Sequence, residues 1–145
     1  MNIIGNGVDI VENKRIANSI KNSAFILRIF TKNEIYQSTK IKNKVNYFAK
    51  RFAAKEAFVK ALGTGFRKSI NFKDISVKKN TKGQPLMILS NSLKKFLKHK
   101  FKINKYQLFL SLSDEKKHSI AFVIINKIKW LKNFLLKILK LFFMR

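Results

Sequence analysis

A chain of 145 residues with 46% hydrophobic content and 14 phenylalanines can bury roughly two thirds of its unfolded surface as one domain. That excludes a disordered polyelectrolyte, despite a net charge of +25. No cysteine is present, so a disulfide framework, a zinc finger and thiol catalysis are excluded as well.

The charge, 32 Lys and Arg against 7 Asp and Glu, suits polyanionic partners. Lys, Asn, Ile and Phe are inflated together and evenly, however, as expected when coding sequence drifts toward A and T. Charge alone therefore selects no partner. The start, Met1 to Gly7, lacks a basic segment followed by an apolar core, so no secretory signal is visible and a cytoplasmic setting is expected.

In chain order, residues 2–11 read as a strand, interrupted by Gly5 and Gly7 and carrying Asp9, a poor strand former. Residues 12–22 and 24–29 read as short helices. Thr31 with Glu34 three residues on predicts a capping box that opens another helix. The central helix is expected from about Lys44 to Leu62, with Phe48, Phe52, Val59 and Leu62 as its inward stripe. Ala49, Ala53, Ala57 and Ala61 recur at i+4, which lets another backbone approach closely. Gly63 fits the position that ends the helix. Residues 73–78, 86–89, 106–112 and 118–126 read as strands, with Lys82 to Pro85 as a hairpin turn. Residues 91–99 form a helix opening at Asn91 or Ser92. The expected fold class is α+β: a single domain with a long central helix packed on a small, mostly antiparallel sheet.

The stretch 127–145 differs. It has six basic residues and no acids, and Trp130, Leu131, Phe134, Leu135, Ile138, Leu141 and Phe142 fall at helical spacing. A basic amphipathic helix follows. The segment is read as packing against the domain or a neighbouring subunit, as contacting a membrane surface, or as a disordered tail, and Lys132, Lys137 and Lys140 make it a poor membrane span.

Glu56 and Lys60 form an i,i+4 pair, which alone reads as a surface ion pair worth about 0.2–0.5 kcal/mol. Asp9 alone reads as a solvated carboxylate or a cap. Together the two acids admit a sharper reading, because Mg²⁺ takes one or two carboxylates and completes its shell with water and phosphate oxygens. The Gly63-Thr64-Gly65 turn would let backbone N–H groups approach a phosphate. It lies at a helix C-terminus, where the dipole opposes anions, so Arg67 and Lys68 would have to supply compensating charge. His99 and His118 have no companion nucleophile or ligand cluster, and Ser111 and Ser113 read as ordinary sheet positions.

These residues resemble a family. Gly5-Asn6-Gly7-Val8-Asp9-Ile10-Val11-Glu12 is similar to the G-x-G-x-D-I-V-E opening of the small 4′-phosphopantetheinyl transferases, the bacterial holo-[acyl-carrier-protein] synthases. Phe48 to Gly65 is similar to their F-x-x-R-F-A-x-K-E-A-x-x-K-A-x-G-T-G signature. Leu112-Ser113-Asp114-Glu115 followed by Ala121 to Ile125 resembles their closing hairpin, and Gly83-x-Pro85 resembles a smaller turn. The resemblance covers residues 2–126, which makes 1–126 a transferase domain and 127–145 an extension about which it is silent.

The resemblance implies transfer of the 4′-phosphopantetheine arm of coenzyme A to a serine of apo-acyl carrier protein, within fatty acid biosynthesis. Asp9 and Glu56 would be the Mg²⁺ ligands, with Glu56 and Lys60 in the catalytic role. Lys50, Arg51, Gly63, Thr64 and Gly65 would face the nucleotide, and Arg15 with Lys14 the acidic carrier protein. A homotrimer with sites between subunits is implied too. Many members have His where Asp114 stands, so a role for that histidine is not carried over. The other reading is a basic module that binds nucleic acid or a membrane surface without catalysis; within the transferase reading, nucleic acid is an unlikely partner and the tail a possible membrane contact.

Overall fold

The computed structural model describes residues 2–66 and 70–128. Among them lie five strands and five helices: β1 (Ile3–Glu12), α1 (Asn13–Ser19), α2 (Ser23–Ile29), α3 (Lys32–Ser38), α4 (Lys44–Ala61), β2 (Ile75–Lys79), β3 (Pro85–Leu89), α5 (Asn91–Phe101), β4 (Tyr106–Asp114) and β5 (His118–Lys127), with a 3-10 turn at Phe72–Asp74. Residues 67–69 and 129–145, which include Arg67, Lys68 and the predicted amphipathic helix, lie outside the described residues.

The strands form two antiparallel sheets rather than one. One has the order β1-β5-β4, and the other is the β2-β3 hairpin. The hairpin turns where Gly83 takes a positive φ of 81°, a conformation that suits glycine.

Alternation along the strands separates two faces. Val11, Ala121, Val123 and Ile125 point into the core, whereas Val8, Ile10, Ile120, Phe122 and Phe109 point out and stay exposed. α4 covers the inner face. Its alanine stripe meets β1 where that strand has glycine: a Cβ on Gly5 would fall on the Ala61 carbonyl oxygen, and one on Gly7 on that of Ala57. The two glycines that interrupt the strand in sequence are thus the positions where helix and strand backbones touch. The partner that the alanines were expected to admit is this chain's own β1.

Local signals account for the helix ends. Thr31 and Glu34 form the predicted capping box. Asn43 caps α4 by accepting from the Asn46 N–H, and Ser90 caps α5, which opens at Asn91. Gly63 ends α4 with φ 67°.

One charged pair sits in the core. The Lys55 ammonium, fully buried, donates to the Glu34 carboxylate (2.8 Å) and to the carbonyls of Ile29 (2.8 Å) and Phe72 (3.1 Å). Glu34 also accepts from the N–H groups of Thr31 and Val77. Burial pulls the Lys55 pKa down against the opposing Glu34 charge. This hub joins α2, α3, α4, the 3-10 turn and β2, and so fixes the rotation of α4 about its axis.

Candidate active site

Fixing that rotation decides where Glu56 points. One residue beyond the buried Lys55, it leaves the core half-buried and opens into a pocket lined by Asp9, Arg15, Ile16, Ser19, Phe25, Phe52 and Glu56. Asp9 reaches the same pocket from β1, on the strand face that carries Gly7 and Val11. Residues 47 positions apart in the chain are joined by the glycine–alanine contact between β1 and α4.

Lys60 does not turn to Glu56, as an i,i+4 pair would. Its ammonium lies 2.8 Å from Asp9 Oδ1 and 3.2 Å from the Val8 carbonyl oxygen. The second Asp9 oxygen, Oδ2, is buried without a hydrogen-bond partner, which is costly unless a ligand completes it. Burial, and next the Asp9 charge, push the Glu56 carboxyl above its ordinary pKa, while Lys60 and Arg15 oppose the shift. An orphaned carboxylate oxygen beside a second carboxylate that resists its own charge is an environment that a cation relieves. No group of three or more His, Cys, Asp or Glu occurs among the described residues, so a cation here would draw most of its shell from elsewhere. That fits Mg²⁺ held by two carboxylates, water and a substrate phosphate.

Arg15 stands at the pocket edge with its guanidinium 5.7 Å from the centre of the Phe52 ring. Lys14 is exposed beside it on α1. α1 is held at its start by Asn13, whose amide donates to the carbonyls of Glu115 and Lys116 and whose oxygen accepts from Ser119. The β4–β5 hairpin therefore sets where Arg15 sits.

A second, larger cleft of about 630 Å³ opens on the other side of α4, lined among others by Asn46, Lys50, Arg51, Lys79, Gly83 and Asp114. Lys50 and Asn46 both donate to Asp114 across it. The hydrogen bond from Lys50 holds the Asp114 carboxyl below the ordinary carboxylate range. Arg51 is mostly buried; it stacks at 3.3 Å on Tyr47, donates to the Tyr47 carbonyl, and leaves Nε without a partner. Gly63, Thr64 and Gly65 line neither cleft, although Gly65 takes φ 63° and Thr64 Oγ1 is buried without a partner. His99 and His118 are exposed and distant in role from both clefts.

Sequence reasoning missed Asn46 and Asp114 as partners of Lys50, and Phe25 and Phe52 as pocket walls. It also missed Lys55, although the spacing 48, 52, 55, 59 and 62 carried its signal: a lysine set on the inward stripe needs a buried carboxylate.

The chain matches the family model of the 4′-phosphopantetheinyl transferase superfamily over residues 5–123. It is 54% identical over 127 residues to the holo-[acyl-carrier-protein] synthase of Pelagibacter ubique, covering 88% of this chain and 99% of the relative. It is 46% identical over 128 residues to that of Ehrlichia chaffeensis, covering 85% and 96%. Among solved structures it resembles the synthase of Neisseria meningitidis, with TM-score 0.79 and 41% identity over 86% of this chain and 99% of that one. It also resembles the Bacillus anthracis enzyme in complex with CoA (3′,5′-ADP), with TM-score 0.74 and 33% identity over 88% and 100%.

Proposed function

This chain belongs to the 4′-phosphopantetheinyl transferase superfamily, and from that membership we infer that it transfers the phosphopantetheine arm of coenzyme A to a serine of apo-acyl carrier protein. The observation that carries the reading is the meeting of Asp9, Glu56 and Arg15 at one pocket, with Lys60 paired to Asp9. The domain spans residues 1–126 in this proposal, and cytoplasmic fatty acid biosynthesis is the process it serves.

The serine oxygen forms a bond to the phosphorus that bears pantetheine. The bond from that phosphorus to the bridging oxygen breaks, and adenosine 3′,5′-bisphosphate leaves. Such a transfer needs positioning and electrostatic stabilisation more than a covalent enzyme intermediate. Asp9 and Glu56 would hold Mg²⁺, which supplies charge neutralisation for the pyrophosphate. Lys60, held only by exposed contacts to Asp9 and the Val8 carbonyl, would turn its ammonium to the leaving phosphate. Glu56, or a water beside it, would accept the serine proton. Arg15 and Lys14 offer positive charge to an acidic carrier protein.

Lys50, Arg51 and Asp114 line the cleft proposed for the nucleotide. It shares no lining residue with the carboxylate pocket. That division supports a homotrimer in which the cleft of one subunit serves the carboxylates of the next. The apolar outer face of the β1-β5-β4 sheet supports the same assembly, since exposed patches of this kind mark interaction sites.

The test incubates the protein with coenzyme A, Mg²⁺ and apo-acyl carrier protein and follows the carrier's mass. A gain of one phosphopantetheine is expected from the wild type, and none from Asp9→Asn or Glu56→Gln with native circular dichroism. An unmodified carrier beside an active control enzyme would refute the transfer. Undiminished activity in both variants would refute the metal assignment.

A further inference from the structure

Four cations line the larger cleft, Lys50 and Arg51 from α4 and Lys78 and Lys79 from β2. Asp114, at the end of β4, is the one acid on its wall among the described residues. Arg51 is only 6% exposed and its Nε has no partner. Burial works against its charge, and an anion in the cleft would relieve it. Asp114 has the opposite effect, because a carboxylate on this wall repels the phosphates that its neighbours attract. An exposed ion pair adds little to stability, so folding does not explain its place.

The contacts of Asp114 suggest what it does there. Oδ1 accepts from the Lys50 ammonium, and Oδ2 accepts from the Asn46 amide at 2.8 Å. Asn46 and Lys50 stand one helical turn apart on α4, so one carboxylate spans both donors, as two oxygens of a phosphate would. The pair is within reach of a solute, with Lys50 27% and Asp114 29% exposed. Asp114 is an internal anion on donors that a phosphate would otherwise use.

We propose that Asp114 sets how weakly this cleft holds a nucleotide: an entering phosphate must take Lys50 and Asn46 from a carboxylate already bound to them. The proposal rests on the reading of the cleft as the coenzyme A site and adds the residue that tempers it. Coenzyme A and adenosine 3′,5′-bisphosphate both carry phosphates, so the carboxylate loosens substrate and product alike. A product held less tightly leaves sooner, and release is a step that limits many enzymes.

Calorimetric titration of adenosine 3′,5′-bisphosphate into the full-length protein with Mg²⁺ measures the effect. Asp114→Asn keeps the side-chain shape and removes its charge. Binding should tighten roughly two- to fivefold, and inhibition of transfer by the bisphosphate should tighten in parallel. Lys50→Gln should weaken binding, and in K50Q/D114N most of the gain should vanish, because Lys50 is what the carboxylate withholds. Unchanged affinity in D114N overturns the proposal. Weaker binding does so too and makes Asp114 a ligand of the nucleotide. A gain of full size without Lys50 replaces the exchange with plain repulsion. If neither wild type nor D114N binds the bisphosphate, the coenzyme A reading of the cleft falls and the proposal with it, an outcome distinct from binding that ignores Asp114.

Discussion

Lys55 and Glu56 are neighbours in sequence with opposite fates. Lys55 is locked in the core by a carboxylate and two carbonyls, and that lock turns Glu56 outward. Lys55→Met removes the charge that Glu34 opposes and leaves a buried carboxylate uncompensated. A loss of about 3–5 kcal/mol is expected, read as a lower midpoint in urea. A midpoint within error of the wild type would show that the pair is dispensable. Half of this hub was legible in the sequence: Glu34 could be read as a cap from Thr31 three residues earlier. Its role as partner to Lys55, 21 residues away, could not, because only the packing of α3 on α4 brings them together.

Asp114 illustrates an exposed pair. Its carboxyl is held low by the hydrogen bond from Lys50, so its contribution is present above the unfolded carboxylate pKa of about 3.9 and disappears as pH falls through the lower folded value. Asp114→Asn should therefore lower the melting temperature slightly at pH 7, consistent with less than about 1 kcal/mol for an exposed pair. The gap between the two proteins should narrow as the pH is lowered through the acid range. A larger gap in acid than at neutrality would contradict the assignment.

For whole elements, the decisive contact is β1 on α4. Helix and strand were both legible, the first from its 3.6-residue stripe and the second from its β-branched residues. Their mutual approach was legible only in halves, as glycines that disturb a strand and alanines that admit a neighbour. Nothing local says that Gly7 faces Ala57. Gly7→Ala should force the two backbones apart and cost roughly 1–3 kcal/mol, and, on the proposal that Asp9 and Glu56 hold a divalent cation, it should weaken binding of Mn²⁺, a stand-in for Mg²⁺, by shifting Asp9 against Glu56. Calorimetric titration with Mn²⁺ measures the second effect directly. Unchanged affinity in a folded variant would separate the contact from the site.

For the molecule as a whole, two features were beyond the sequence. Which side of the sheet α4 covers depends on topology. The division of the site into two clefts likewise needs coordinates. The uncovered side carries Val8 opposite Phe122 in the β1–β5 register. If that side is the trimer contact, Phe122→Lys should convert a trimer to a monomer in analytical ultracentrifugation. A trimer that survives the substitution would put the contact elsewhere.

The same strand that offers Val8 and Ile10 to this outer surface carries Asp9 between them toward the carboxylate pocket. If that surface is the trimer contact, association and the proposed chemistry are borne by alternate residues of one short peptide. An enzyme built this way should be sensitive to dilution: specific activity, ordinarily a constant, would fall as the protein is thinned below the dissociation constant of the assembly and return on concentration.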